Sequence, residues 1–263
     1  MRVIRPASLH PVARRRQLLL SLSMLSVGVL AGQLTLVMTS APLTGAMAGA
    51  SAIGLGVGVA WLVRAFRPTR ARRLAERLVA LLAPTFDDSY TLVVAPRLPI
   101  RDADRLDAIL VGPGGVRALT LRDWEGRYRV RGRVWEFDAR GRRGWIRCRT
   151  NPSFEAIALA NGVARWAADA GFGELPLRPV VAFPDSAARV VLEEPEDEVI
   201  MSDNAPWWAN SIGRVRRLDP AVGARLLEAI LETSERLGSP AGGQEAADSR
   251  SSTGRTSAIS SAR

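Results

Sequence analysis

Between Gln17 and Val63 the chain carries no charged residue, an uninterrupted run of 47 positions. One helix crosses a bilayer with about 20 apolar residues, so a run this long predicts two spans joined by a tight turn. The expected spans are Leu18 to Met38 and Leu43 to Val63, with Thr39, Ser40, Ala41 and Pro42 as the break between them. The second carries Gly45, Gly49, Gly54, Gly56 and Gly58, small residues that allow close helix contact in lipid, with the first span as the natural partner. Arginines flank both outer ends: Arg2, Arg5, Arg14, Arg15 and Arg16 before the run, and Arg64, Arg67, Arg70, Arg72 and Arg73 after it. The positive-inside rule then predicts a multi-pass protein of the cell membrane with both termini in the cytoplasm.

Export is the competing expectation, because Arg15-Arg16-Gln17-Leu18-Leu19 resembles a twin-arginine signal and Ala46-Met47-Ala48 resembles a cleavage site. A signal has one apolar core of about 7–15 residues, whereas this run holds two longer stretches. A hairpin anchor accounts for both.

Composition narrows the chemistry. All 36 basic residues are Arg, against 26 acidic ones, which gives a net charge of +10 and removes every mechanism that needs a lysine ammonium. The single His, His10, lies before the apolar run, and Cys148 is the single Cys. Zinc clusters, His-dependent triads and internal disulfides are therefore excluded, and Cys148, between Trp145, Ile146 and arginines, is expected as a small core residue.

Beyond the hairpin, residues 64–238 read as one α/β domain and residues 239–263 as a disordered Ser-, Gly- and Ala-rich tail; residues 1–16 read as an N-terminal tail. Arg70 to Leu82 predicts an amphipathic helix with Leu74, Leu78, Leu81 and Leu82 on one stripe, closed by Pro84. Strands are expected at Tyr90–Ala95, Leu106–Val111, Val116–Leu121 and Arg127–Val130, with Arg133–Phe137 as a fifth. Gly112-Pro113-Gly114-Gly115 predicts a turn, since no helix start and no Lys-Ser/Thr follows to make it a phosphate loop. Asn151-Pro152 opens a helix with Phe154, Ile157, Ala158, Gly162 and Trp166 expected inward. Leu177–Phe183 predicts a buried strand, Val190–Leu192 and Val199–Met201 shorter ones, and Asp219-Pro220 a last helix with Val222, Leu226, Ile230, Thr233 and Leu237 inward.

Four places together resemble the nuclease-related domain (NERD) family of the restriction-endonuclease-like PD-(D/E)xK superfamily: Leu106 through Pro113 with Gly115-Val116, Ala75-Glu76, Asn151-Pro152, and Pro179 to Phe183. The resemblance covers roughly residues 74–237 and implies a mixed sheet flanked by helices, here preceded by a two-helix transmembrane hairpin. It also implies an active site of a metal-binding Asp, then Glu-x-Lys on the next strand, in which hard carboxylates hold Mg²⁺. Asp107 matches the first carboxylate, and Glu76 the helical position. The Glu-x-Lys place is held by Thr120-Leu121-Arg122, a neutral hydroxyl and a guanidinium that stays protonated. Glu155, early in the next helix, and Asp123 and Glu125 past the strand are candidate substitute carboxylates, with Asp107 and Glu155 the candidate metal ligands. The residue types alone also allow plainer roles: a surface carboxylate for Glu76, a strand-end Asp for Asp107.

Arg127, Arg129 and Arg131 alternate with Tyr128 and Val130, so the arginines share one face of a strand. That face suits phosphates of nucleic acid or of anionic lipid, or else is simply solvated. The acidic residues Glu193, Glu194, Glu196, Asp197 and Glu198 are expected in a loop, and Trp207-Trp208 in a core or interface. The sequence thus predicts a membrane-anchored NERD-like domain that lacks usual nuclease chemistry, needs no cofactor and binds nucleic acid or an unknown protein. The alternatives are an active Mg²⁺-dependent nuclease with migrated carboxylates and a structural membrane interaction protein.

Overall fold

The structure, a computed structural model, describes residues 1–6, 11–37, 41–66, 69–100, 106–139, 144–185, 187–214 and 217–238. The expected tail beyond 238, the span-joining residues 38–40 and His10 lie outside them. The chain forms two compact units, one from residues 9–69 and one that gathers the first eight residues with everything from Arg70 onward.

The first unit is a helical hairpin of α1 (Pro11–Val37) and α2 (Ala41–Phe66). Within it, Leu18–Val37 and Pro42–Arg64 are long and apolar enough to cross a membrane. Three of the glycines set the helix approach. A Cβ on Gly28 would lie 2.7 Å from the Leu55 amide nitrogen, one on Gly54 2.9 Å from the Gly28 Cα, and one on Gly58 2.7 Å from Leu25. At Gly28 and Gly54 backbone meets backbone, which only glycine permits, and at Gly58 the backbone meets the Leu25 side chain.

The second unit is mixed α/β. Its helices are α3 (Arg70–Leu82), α4 (Pro152–Asp169), α5 (Ala205–Gly213) and α6 (Pro220–Gly238). The six-stranded main sheet runs in the order β1 (Arg2–Ile4), β2 (Thr91–Val94), β3 (Ala108–Gly112), β4 (Gly115–Leu121), β8 (Leu177–Phe183), β10 (Glu198–Met201). A second sheet, ordered β7 (Trp145–Arg147), β6 (Val134–Asp138), β5 (Gly126–Gly132), β9 (Ala188–Pro195), holds the arginine-rich strands, so the single sheet expected from sequence is in fact two. β3 and β4 form the expected antiparallel hairpin, with Ala108 opposite Leu119 and Gly112 opposite Gly115. Gly115 has a φ of +108°, and a Cβ on Gly112 would fall 2.1 Å from the Tyr90 ring, so the turn and the ring beneath it both require glycine.

Residues 2–4, expected as part of a tail, are an edge strand: β1 pairs parallel with β2, Ile4 level with Val93. Three residues carry too little periodicity to signal a strand. Residues 11–16 continue α1, and α2 runs on to Phe66, so the folded domain resumes at Arg70.

β4 is buried on both faces. Leu119 and Leu121 meet α3 and α5 through Leu74, Leu78, Leu82, Trp208 and Ile212, while Val116 and Ala118 meet α4 and α6 through Val163, Ala167, Leu226 and Ile230. The inner face of α4 differs from expectation. Ser153, Ala156, Leu159, Ala160, Gly162, Val163 and Ala167 are buried, whereas Phe154 is 56% exposed and Ala158 is exposed. Small residues let the helix lie close on the sheet, where a row of larger ones would hold it off; Ile100 already presses against Gly162. In α6, Gly223, Leu226, Ile230 and Ser234 are the buried set, with Val222, Thr233 and Leu237 only half-buried.

One charged side chain is built into this core. Arg117 is 5% exposed and faces Glu198 of β10 with Nε and Nη2 each 3.3 Å from a carboxylate oxygen, and it also donates to the Gly114 carbonyl. Trp208 Nε1 donates to the same carboxylate at 2.9 Å. The network joins β4, β10 and α5. Removing one partner of a buried pair strands the other's charge, so Arg117→Ala is expected to cost about 3 kcal/mol of stability, read as a lowered Tm of the full chain in detergent by tryptophan fluorescence.

Candidate functional site

At the end of the β3–β4 hairpin opposite its glycine turn, four of the predicted residues converge. The register that sets Ala108 against Leu119 carries Asp107 alongside Thr120, as the hairpin requires. Asp107 bridges both neighbours: its carbonyl accepts from the Ala95 amide at 2.7 Å, and its Oδ2 accepts from the Leu121 amide at 2.8 Å. Thr120 is 2% exposed, and its hydroxyl has no hydrogen-bond partner. Arg122 continues β4, its amide donating to the Ala182 carbonyl at 2.9 Å.

The Arg122 guanidinium forms an ion pair with Glu155 through Nη2, while its buried Nε lacks a hydrogen-bond partner. Burial draws the Arg122 pKa below that of a free guanidinium, and the nearby Asp107 charge draws it back up. Glu155 reaches this place because α4 starts here. Asn151 caps the helix, its side-chain oxygen accepting from the amides of Ser153 at 3.0 Å and Phe154 at 3.4 Å, and Pro152 follows in the first turn. A carboxylate in that turn is favoured by the helix dipole. Ser153 is itself fixed by Trp135, whose Nε1 donates to the serine hydroxyl at 3.0 Å.

The α3 face meets the same end of the sheet. Arg70 pairs with the Asp123 carboxylate through Nε and donates from Nη2 to the Asp123 carbonyl at 3.0 Å. That guanidinium holds the Asp123 carboxyl below the usual range. Arg77 pairs with Asp185. Glu76 has a surface role: it is half-exposed and pairs with Arg72 one turn earlier at 2.9 Å.

These residues do not suit Mg²⁺. The would-be ligand Asp107 already accepts from a backbone amide, Thr120 is neutral, and Glu155 is engaged by a fixed cation. Among the described residues, no group of three His, Cys, Asp or Glu side chains is placed to hold a metal. A guanidinium stands where the resemblance implies a lysine serving a metal.

The arginine face of β5 exists, with Val130 buried and Tyr128 packed beneath it, but carboxylates pair along it. Arg127 lies 3.9 Å from Asp138, Arg129 hydrogen-bonds Glu136 through Nε at 2.9 Å, and Arg131 meets Glu193 at 2.8 Å. Arg127 and Arg129 also stack on Trp145, 5.6 and 4.8 Å from the ring centroid. The acidic run is a loop only at Glu196 and Asp197. β9 extends through Glu193 and Glu194 to Pro195, parallel to β5, and Glu198 opens β10. Glu196 and Asp197, between the strands, face Arg133 at 3.1 and 3.8 Å. Parallel pairing between strands so far apart in sequence leaves no local signal, which is why these partners escape a reading of residue patterns.

Trp208 is core and Trp207 is 73% exposed, on a helix, α5, that the sequence did not signal. Cys148 packs partly buried against the core between the sheets, with its thiol pKa pushed up by burial. Comparison with protein-family models, curated proteins and solved structures finds no match to this chain.

The Asp123 carboxyl titrates lower in the folded state than in the unfolded one. Its pair with Arg70 therefore favours folding above the unfolded pKa, and that contribution is lost as pH falls through the folded value. Arg70→Ala is expected to return the Asp123 carboxyl toward the ordinary value of about 3.9, measured by carboxyl-resolved NMR titration.

Proposed function

We propose that this chain is a membrane-anchored NERD-like protein whose restriction-endonuclease-like domain has lost metal-nuclease chemistry and acts by binding. The observation that carries this reading is the convergence of Asp107, Thr120, Arg122 and Glu155 at one sheet end, with a guanidinium engaging Glu155 and a backbone amide engaging Asp107. Phosphodiester hydrolysis needs charge neutralised on the phosphate and a deprotonated water, and a metal held by at least two free carboxylates usually supplies both. Arg122 offers the first and not the second, because a guanidinium keeps its proton. The chemistry left to the site is recognition of an anionic group.

In this reading α1 and α2 both cross the membrane. β1 lies before the hairpin and β2 after it, yet the two pair in one sheet, which supports an even number of crossings and both flanks on one side. The flanking arginines favour the cytoplasmic side. A reporter fused after residue 238 is expected to be active only in its cytoplasmic form; activity on the outer side overturns the topology.

For the chemistry, the full chain in nanodiscs is expected to leave labelled DNA and RNA intact with Mg²⁺ or Mn²⁺. Thr120→Glu combined with Arg122→Lys is expected to restore Mn²⁺ binding by calorimetry and EDTA-sensitive cleavage. Robust EDTA-sensitive cleavage by the unaltered chain, lost in Asp107→Ala, overturns the binding reading in favour of an active nuclease.

A further inference from the structure

The end of the main sheet that carries the site is also the end from which the chain departs toward the hairpin, and it does so twice. β1 runs parallel to β2, so Ile4 sits level with Val93, two residues before Ala95, whose amide reaches the Asp107 carbonyl. Residues 5–10 then lead to α1. On the other side, α3 begins at Arg70, and Arg70 grips both the side chain and the carbonyl of Asp123, the residue after Arg122. Only residues 67–69 separate Arg70 from α2. The last residue of α2 is Phe66. Arg64, which ends the apolar span, is two residues before that.

Two polar groups in this site are unspent. The Thr120 hydroxyl, on a side chain 98% removed from solvent, and the buried Arg122 Nε both lack partners. The anion that Arg122 does hold, Glu155, is 44% exposed and rooted in the first turn of α4, free to swing toward solvent.

We propose that Arg122 and Thr120 receive the phosphate of an anionic phospholipid head group, and that Glu155 is an internal anion which this phosphate displaces. The proposal rests on the reading of the chain as membrane-anchored and non-cleaving, and adds the ligand. Lipid is favoured over nucleic acid on two grounds. Only three residues join α2 to α3, and an anionic leaflet repels the phosphates of a nucleic acid within a Debye length of about 8–10 Å. The β5 arginines, the face best suited to track a nucleic-acid backbone, are already paired with Asp138, Glu136 and Glu193. Arg64 and Arg67, between the apolar run and α3, add attraction for anionic lipid.

The test uses the full chain in nanodiscs of phosphatidylcholine, alone or with about 30 mol % phosphatidylglycerol as an anionic component. In a Cys148→Ser background, a fluorophore is placed at Phe154→Cys beside the site or at Glu174→Cys near the start of β8, the far end of the sheet. Lipid carrying a head-group spin label is expected to quench the first strongly and the second weakly; equal quenching overturns the proposal. Phosphatidylglycerol is expected to raise the Tm of the unaltered chain, more so for Glu155→Gln, which removes the competing charge. Arg122→Gln is expected to weaken phosphatidylglycerol affinity about tenfold, the worth of one charge-assisted hydrogen bond.

No response to phosphatidylglycerol in either the unaltered chain or Glu155→Gln overturns the proposal. A rise in Tm with a DNA oligonucleotide on phosphatidylcholine discs, lost in Arg122→Gln and absent with phosphatidylglycerol, overturns it in favour of nucleic acid. Failure of the anchor reading shows separately: alkaline carbonate then strips the chain from vesicles.

Discussion

β4 is the strand on which the rest of the molecule depends. All seven of its residues are buried, because helices cover both faces of the sheet at this point and strands pair with both of its edges. A strand in that position must be apolar or must satisfy whatever polar groups it brings. β4 brings two. Arg117, near the turn, is met by Glu198, Gly114 and, through the shared carboxylate, Trp208, so its charge fastens three elements together. Thr120, near the other end, is left without a partner, directly beside Arg122 and Asp107. One strand thus has a satisfied end that holds the fold and an end that leaves a buried hydroxyl unpaired.

What could be read from the sequence follows the range of the interactions involved. The Asn151-Pro152 helix start, the Gly112–Gly115 turn and the bounds of β8 are local signals, and each stands in the structure where the residues indicated. The β3–β4 register followed from the turn alone, which is why Asp107 and Thr120 could be placed together in advance. The inner face of α4 could not, because hydrophobicity favours Phe154 and Ile157 while close packing on a sheet favours Ala156, Ala160 and Ala167. β1 and the carboxylates facing the β5 arginines were illegible for another reason. The partners of β1 and of Glu193 lie at long sequence separation, and a three-residue strand or an acidic run has no pattern of its own.

An all-arginine chain also gives the candidate site a particular character. A lysine at position 122 would be liable to shed its proton when buried beside apolar strands. Arg122 experiences the same desolvation, and its pKa falls for that reason, but it starts so high that the charge persists at any physiological pH. The cation here is therefore covalent and permanent. Neither chelation nor mild acid or base removes it.

The edge position of β1 bears on how the chain is made. Chains fold as they emerge from the N-terminal end, so Arg2–Ile4 leaves the ribosome before its partner β2 exists. Both hairpin helices and α3 follow before β2 appears. Closure of this edge is accordingly a late event, and it joins a strand that precedes the hairpin to a sheet completed after it. Until then the outer edge of β2 stands open, with unpaired backbone groups that another strand can recruit. The hairpin, a stretch of chain that belongs to neither sheet, thus sets how long β1 waits unpaired before its partner is made.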